Sequence, residues 1–443
     1  MKSPGIFFAG LFVFVFLFPS CKKENKSNDE LILGSLIFAL TRTPYEEVTP
    51  PPGTFTLEPN KTFTRSYSPT CSGVPENEIF KFYIKRGTTK NLLINFMGGG
   101  ACWDPKNCFG SKTATYFNRA NIFNPLAARL AFHGILEERV FENPFKDWNV
   151  VFIPYCTGDL HWGSKIIAYV DPTNNQTTDF KHKGFDNVLS VLNFIKNSEE
   201  YRPNSDSKVS VTGQSAGAYG AIFNFPYIRE TLRQVSDSNI MVLGDAGNGV
   251  VPTNFQQNAV IDKWGADSNL PNWITFPSFS TMSFGVFYNT VATEYPNSRI
   301  AQYSTDYDGN QRYFYDVQLK IAIQSPYTSA QNYSDSENLW GKSDGTQVPD
   351  SSVTCSWRTQ SRTKLKTEVT QPNYRYYIAS GDVHTISTSV NFFSESSAGQ
   401  SLVDWYNQML VGGAGWVNRD CLNLGNCNPP KSAYSYPNTI SCP

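Results

Sequence analysis

The stretch Lys208-Val-Ser-Val-Thr-Gly-Gln-Ser-Ala-Gly217 decides the fold. Its first half is a short β-branched run that predicts a buried strand, and its second half is a Gly-x-Ser-x-Gly turn. Small residues continue into the next segment at Ala218 and Gly220, which predicts a slim helix packed close to neighbouring backbone. A serine presented on such a strand-to-helix turn is held for activation as a nucleophile, so Ser215 is the candidate nucleophile.

Strand and helix signals alternate on both sides of this turn. The apolar spacing from Gly184 to Ile195 predicts a helix. Such alternation predicts an α/β protein, α/β-hydrolase-like, with a mostly parallel sheet flanked by helices and a site beyond the carboxyl ends of the strands. Short strands are predicted at Ile79–Lys85, Asn91–Met97, Asn149–Pro154, Ile240–Gly244, Arg299–Tyr303 and Tyr374–Ala379.

Two long stretches, Val251–Ser298 and Asn332–Thr370, are rich in Ser, Thr, Asn and Trp and show no clear period. Each is longer than a plain connection. We interpret them as irregular insertions that form lids or substrate walls over the site.

A glycine run, Met97-Gly-Gly-Gly-Ala-Cys-Trp103, follows an early predicted strand. Glycines let the backbone approach a substrate, and this position supplies oxyanion-hole donors in hydrolases of this type. We therefore predict that the N–H groups of Gly99, Gly100 and Ala216 hold the oxyanion. A phosphate-binding loop is excluded because no Gly-Lys-Ser/Thr follows the run.

The base must be a histidine that follows the nucleophile, because the chain order in this fold is serine, acid, histidine. Of the four histidines, His133, His161 and His182 precede Ser215, which leaves His384. The acid should end a strand between Ser215 and His384. Asp245, Asp306 and Asp308 all qualify by position, and spacing alone leaves Asp306 and Asp308 tied.

The sequence resembles the pectin acetylesterase/Notum family of carboxylesterases over roughly Gly73 to Ile386. In the acid motif that this resemblance implies, an Asp-x-x-Gln pattern, Asp308-Gly-Asn-Gln311 fits and Asp306 does not, so the implied triad is Ser215, Asp308 and His384. Asp245 then takes a supporting position near the site. The stretches that carry the resemblance are Met97–Trp103, Pro154–Asp159, Gly213–Gly217, Tyr307–Gln311 and Gly381–His384.

The sequence departs from the family pattern in the predicted pocket. Met97 stands where the family often has Glu, and Ala101 stands where it often has Trp, a role that Trp103 can take over. The cysteine usual beside the catalytic histidine is absent. Met97, Ala101, Trp103 and Asp245 are therefore predicted to shape the pocket, and the acyl group that it takes stays open between acetyl and another O-acyl group.

The first residues predict export. An apolar run from Gly5 to Phe18 follows Lys2 and is shorter than a spanning helix needs. Cys21 stands where the run stops, which predicts a bacterial lipoprotein whose acylated Cys21 holds it at a membrane surface, and otherwise a secreted protein. We expect residues 1–21 to be the export signal, 22–53 a tether, and 54–443 a single domain with a disulfide-stapled tail.

The 443 residues include 37 basic and 38 acidic side chains, and no basic stripe is visible, so nucleic acid is not an expected partner. Eight cysteines remain beside Cys21, an even number that predicts disulfides in an exported protein. No histidine is spaced with them as a ligand set, so no metal is expected. Acyl transfer by a serine also needs no cofactor.

These observations predict a serine carboxylester hydrolase that removes an acyl group from a polysaccharide or another acylated substrate. Two alternatives stay open from the residues. One is a non-catalytic surface-binding lipoprotein on a hydrolase scaffold, and the other is a serine peptidase that uses the same triad on amides.

Overall fold

A computed structural model describes residues 43–57, 61–72, 79–109, 115–116, 132–171, 174–322, 351–425, 427 and 442. The predicted export signal, the predicted lipidation site Cys21 and most of the predicted tether lie outside these residues. None of the helices within the described ranges is long and apolar enough to cross a membrane.

Nine strands of the described residues form one sheet in the order β1-β4-β6-β5-β9-β10-β11-β12-β13. β1 and β4 pair antiparallel at one edge, and the pairs from β6 to β13 are parallel, which confirms the predicted mostly parallel sheet. The strands are β1 Glu46–Val48, β2 Gly53–Leu57, β3 Phe63–Tyr67, β4 Phe82–Lys85, β5 Leu92–Phe96, β6 Asn149–Ile153, β7 Lys165–Val170, β8 Thr177–His182, β9 Val209–Gln214, β10 Ile240–Asp245, β11 Arg299–Thr305, β12 Tyr374–Ala379 and β13 Arg419–Asp420.

The central strands β5, β6, β9 and β10 are buried at every residue. A strand covered on both faces can be apolar throughout, which is why β5, β6 and β10 are nearly continuous apolar runs, whereas β9, Val209-Ser-Val-Thr-Gly-Gln214, is buried although its sequence alternates. The α-helices are α1 Pro105–Phe109, α2 Gly184–Asn197, α3 Ala216–Thr231, α4 Phe284–Glu294, α5 Gly309–Ala322, α6 Ser351–Lys366 and α7 Leu402–Val411.

Two antiparallel hairpins stand apart from the main sheet. β2 pairs with β3 and packs on α2, and β7 pairs with β8. The inner face of the second hairpin is aromatic, with Tyr169 and Phe180 buried beside His182.

The secondary structure differs from the sequence predictions at three places. β1 lies inside the stretch interpreted as a tether and pairs with β4, so the sheet begins before residue 54. The first insertion contains α4, whose buried Phe284, Phe287, Tyr288 and Val291 do follow a helical period. That period is hidden in the sequence by the irregular Ser-rich flanks.

The second insertion contains α6, where an irregular wall was expected; residues 323–350 lie outside the described part of the chain. The sequence of α6 is mostly polar and gives no periodic signal. Tertiary contacts hold it: a disulfide joins Cys355 to Cys442, and two of its arginines pair with Asp306.

All eight cysteines beyond Cys21 are paired, which confirms the predicted disulfides. Cys421 and Cys427 close a short loop, and Cys442 in the tail reaches back to α6. The four bonds fit an exported protein, because disulfides persist in oxidising compartments. They are Cys71–Cys156, Cys102–Cys108, Cys355–Cys442 and Cys421–Cys427.

Candidate active site at the carboxyl ends of the central strands

Ser215 occupies the turn between β9 and α3 in a strained backbone conformation. Its φ is 56° and its ψ −120°, a region that side-chain-bearing residues rarely adopt. The turn is held because the Ser215 N–H donates to the Asp245 carbonyl at 2.8 Å. It also needs its glycines: a Cβ on Gly217 would collide with the backbone of Phe96 in β5. The sequence thus folds into a sharp, tightly supported turn with a half-exposed serine at its tip.

His384 and Asp308 are directly bonded. The Nδ1 atom of His384 lies 2.9 Å from both carboxylate oxygens of Asp308, whose side chain is fully buried. Gln311 steadies the carboxylate by donating from its backbone N–H at 2.9 Å and from Nε2 at 3.0 Å. Burial alone would lower the pKa of His384, but the Asp308 carboxylate outweighs it and raises that pKa above its ordinary value.

Asp306 has a different environment from Asp308, although the two are separated by one residue. Its buried carboxylate accepts from Nε of Arg358 and from Nε of Arg362, each at 2.7 Å. Arg362 also pairs with Asp420 at 2.9 Å. The geometry therefore separates the two candidates that spacing left tied, since Asp308 faces His384 and Asp306 faces α6.

Ser215 and His384 both line one open cavity of about 560 Å³. Its walls come from elements that are distant in sequence, including the segment after β10, α5 and α6. Apolar side chains dominate these walls, and Gln311 and Gln318 of α5 are the amides among them. The apolar wall residues are Ala101, Leu160, Tyr219, Ala246, Val250, Val251, Phe255, Phe314 and Trp357.

The glycine run lies against the serine turn, as its predicted role requires. A Cβ on Gly98 would stand 2.9 Å from the Cβ of Ser215. Gly100 has a φ of +78°, and Gly100 and Ala216 line the cavity, whereas Gly99 is not among its lining residues. No backbone hydrogen bond between described residues uses the N–H of Gly99, Gly100 or Ala216. Gly100 and Ala216 thus bring two candidate donors to the cavity.

The predicted pocket residues contribute unequally. Ala101 lines the cavity. Met97 is buried, and its carbonyl oxygen is bonded to Nε2 of His161 at 2.9 Å. Trp103 is fully buried and packs edge-on against Phe255 at 5.0 Å between centroids, so it reaches the cavity only through that ring. The walls formed by Phe314 and Trp357 were missed from sequence, because neither carries a local motif.

Asp245 connects the serine turn with the histidine loop. One carboxylate oxygen accepts from the N–H of Ile386 at 2.9 Å and from the N–H and hydroxyl of Ser387, while the Asp245 backbone carbonyl accepts from Ser215. These bonds hold Thr385, the residue after His384, at a φ of 63°. Burial raises the pKa of Asp245. Its supporting position is therefore a structural link beneath the candidate triad.

Two other histidines lie inside the fold. Burial lowers the pKa of His161 to about 4 and that of His182 to about 3. Both are therefore neutral at physiological pH, and both are bonded to backbone carbonyls, of Met97 and of Thr157. Their environment is that of packing residues.

One group of potential metal ligands is close enough in space within the described ranges: Asp306, Cys421 and Cys427. The two cysteines form a disulfide, and the aspartate is paired with two arginines. This group therefore offers no thiolate to a metal ion.

The parallel sheet, the strained turn after β9 and the cavity at the strand ends define an α/β-hydrolase-like protein. The family model described as pectinacetylesterase matches residues 80–410, and the chain belongs to this family. Membership supports a carboxylesterase or deacylase activity.

Named relatives agree with this placement. Palmitoleoyl-protein carboxylesterase notum1a of Danio rerio is 27% identical over 190 residues, which is 42% of this chain and 35% of that protein. Palmitoleoyl-protein carboxylesterase NOTUM of Schmidtea mediterranea is 25% identical over 188 residues, which is 42% of this chain and 33% of that protein. The matched region thus spans about a third of the length of these curated relatives.

A solved structure, the Wnt deacylase Notum from Drosophila, shares the fold. It superposes with a TM-score of 0.50 at 15% identity, covering 88% of this chain and 100% of that one. At this identity the likeness bears on architecture alone.

Proposed function

We propose that this chain is a serine carboxylester hydrolase in which Ser215 is the nucleophile, His384 the general base and Asp308 the acid that orients it. One observation carries the proposal: Ser215, on its strained turn, shares a cavity with a histidine whose Nδ1 is bonded to a buried carboxylate. A serine hydroxyl becomes a useful nucleophile only beside such a base.

The mechanism follows from these positions. Ser215 Oγ attacks the ester carbonyl while Nε2 of His384 takes the hydroxyl proton, and Asp308 stabilises the resulting imidazolium. The N–H groups of Gly100 and Ala216, which line the cavity, stabilise the oxyanion. The neighbouring Gly99, a donor proposed from the sequence, does not line the cavity in this structure. The protonated His384 then gives its proton to the leaving alcohol. Water, deprotonated by the same imidazole, attacks the acyl-enzyme and releases the carboxylic acid.

The walls of the cavity favour an acyl group larger than acetyl. The side chains that line the cavity beside Ser215 and His384 are largely apolar, which suits a hydrocarbon chain better than a small polar group. The family is named for an acetylesterase, and the relatives are named for a palmitoleoyl ester. Between acetyl and palmitoleoyl in size, we propose the acyl group of an O-acyl ester whose chain lies along the apolar walls. The ester is carried by a polysaccharide or another acylated substrate.

Covalent labelling tests the proposal. A fluorophosphonate should attach to one peptide of the native protein, the one that contains Ser215, because only an activated serine reacts. Absence of labelling at Ser215 would favour the non-catalytic binding protein on a hydrolase scaffold. Faster cleavage of a nitroanilide than of the matching nitrophenyl ester would favour a peptidase.

We further propose that Cys21 carries lipid and holds the enzyme at a bacterial membrane surface. The support is the apolar run that stops at this cysteine. The full-length protein should partition into the detergent phase on phase separation, and Cys21→Ser should move it to the aqueous phase. Equal partitioning of the two would leave a secreted protein without a lipid anchor.

A further inference from the structure

Among the described residues that line the cavity, Gln318 has a buried polar atom without a hydrogen-bond partner. The Oε1 atom of Gln318 is buried and has no hydrogen-bond partner among the described residues, and the residue is only 9% exposed. Gln318 lines the cavity. An unpaired buried amide oxygen costs free energy unless a ligand or water donates a hydrogen bond to it.

The position of Gln318 on α5 sets its distance from Gln311, the residue that contacts the candidate triad. Gln311, Phe314 and Gln318 are spaced by three and four residues on α5 and all line the cavity, so they share one helix face. Gln311 bonds Asp308 and marks the end of the helix nearest the candidate triad. Seven residues of helix place Gln318 about 10 Å along α5 from Gln311.

The surroundings decide which part of the substrate reaches this amide. The walls that accompany Gln318 include Phe314, Val250 and Trp357, and Trp357 with Val250 belongs to an apolar cluster between α5 and α6. A sugar placed here would leave most of its hydroxyls unpaired, which is costly. An acyl chain suits these walls, and one hydroxyl on it suits the single unpaired oxygen.

We infer that Gln318 is a specificity residue that accepts a hydrogen bond from a hydroxyl on the acyl chain, several carbons from the ester carbonyl. The inference rests on the proposed esterase function and names its substrate class, a medium-length hydroxyacyl ester. The reaction is still an ester hydrolysis, in which the ester and water give the hydroxy acid and the alcohol.

Nitrophenyl esters of three acids test this assignment: octanoic acid, its terminally hydroxylated form, and its form hydroxylated at the third carbon, counted from the carboxyl carbon. The native enzyme should prefer the terminally hydroxylated ester over the plain one by about tenfold in kcat/KM. The ester hydroxylated at the third carbon should gain no such preference, because its hydroxyl lies too near the carbonyl to reach Gln318.

Gln318→Met keeps the length of the side chain and removes the acceptor. It should lower kcat/KM for the terminally hydroxylated ester and raise it for the plain ester, so that the preference is lost or reversed. Gln176→Met, at an exposed turn outside the cavity, should leave the preference as in the native enzyme.

The outcomes separate this inference from the function on which it rests. If both enzymes hydrolyse the plain octanoyl ester and show the same preference for the terminally hydroxylated ester, the role of Gln318 is overturned and the esterase function stands. Absence of turnover of all three esters, with no fluorophosphonate label at Ser215, overturns the esterase itself.

Discussion

Ser215→Ala is expected to lower kcat/KM for a nitrophenyl ester by about 10⁴-fold or more, because the variant has no atom that can form the acyl-enzyme. The residual rate would come from the cavity and the oxyanion donors, which the substitution leaves in place. The fold should persist, since alanine and serine meet the same backbone strain at a φ of 56°. Steady-state kinetics and thermal unfolding of the same preparations measure both effects.

Ser205→Ala is the matched control, because Ser205 is exposed and its hydroxyl donates to the neighbouring Asp206 side chain, away from the cavity. It should leave turnover and thermal unfolding at native values. Undiminished turnover in Ser215→Ala would remove the nucleophile assignment. A large drop in its unfolding temperature would instead make the loss of activity a folding effect, and the labelling experiment on the native chain would then decide.

The sheet could be predicted from the sequence because of how its strands are buried. β5, β6 and β10 are covered on both faces, so each is a nearly continuous apolar run that stands out against the polar connections, and β9 is predicted instead from the Gly-x-Ser-x-Gly turn that follows it. α6 could not be predicted in the same way. Its polar sequence is held by a disulfide to residue 442 and by ion pairs to Asp306, and neither contact leaves a local pattern.

The residues of the candidate site also differ in whether the sequence predicts them. Ser215 and the glycine run carry local backbone requirements, and His384 follows from chain order, so each leaves a signal in the sequence. Spacing does not select the acid, because Asp306 and Asp308 both follow β11, and the sequence favours Asp308 only through the Asp-x-x-Gln motif of the resembled family. In the structure a pair of arginines more than fifty residues away on α6 distinguishes the two. The cavity walls, such as Trp357, are brought together only by the fold.

Asp308→Asn should lower kcat/KM by about 10⁴-fold while the protein stays folded. An asparagine keeps the size of the side chain and an oxygen for the N–H of Gln311, but its amide cannot stabilise the imidazolium of His384. Asp306→Asn is the informative comparison. It should weaken the buried pairs with Arg358 and Arg362 and lower the free energy of unfolding by about 3 kcal/mol.

The pH dependence adds a readout that a merely structural role would not move. His384 must be neutral to accept the serine proton, so native activity should fall as the pH drops through its raised pKa, above the ordinary value of about 6.5. Without the Asp308 carboxylate the nearby charge of Asp245 remains, but burial has the largest effect and lowers the pKa of His384, so the fall in activity of Asp308→Asn on the acid side should move to lower pH. The acid side of the pH profile of Asp306→Asn should stay where it is in the native enzyme, because Asp306 faces α6 and not His384. A shifted acid side of the profile in Asp306→Asn with native behaviour in Asp308→Asn would reverse the assignment of the acid.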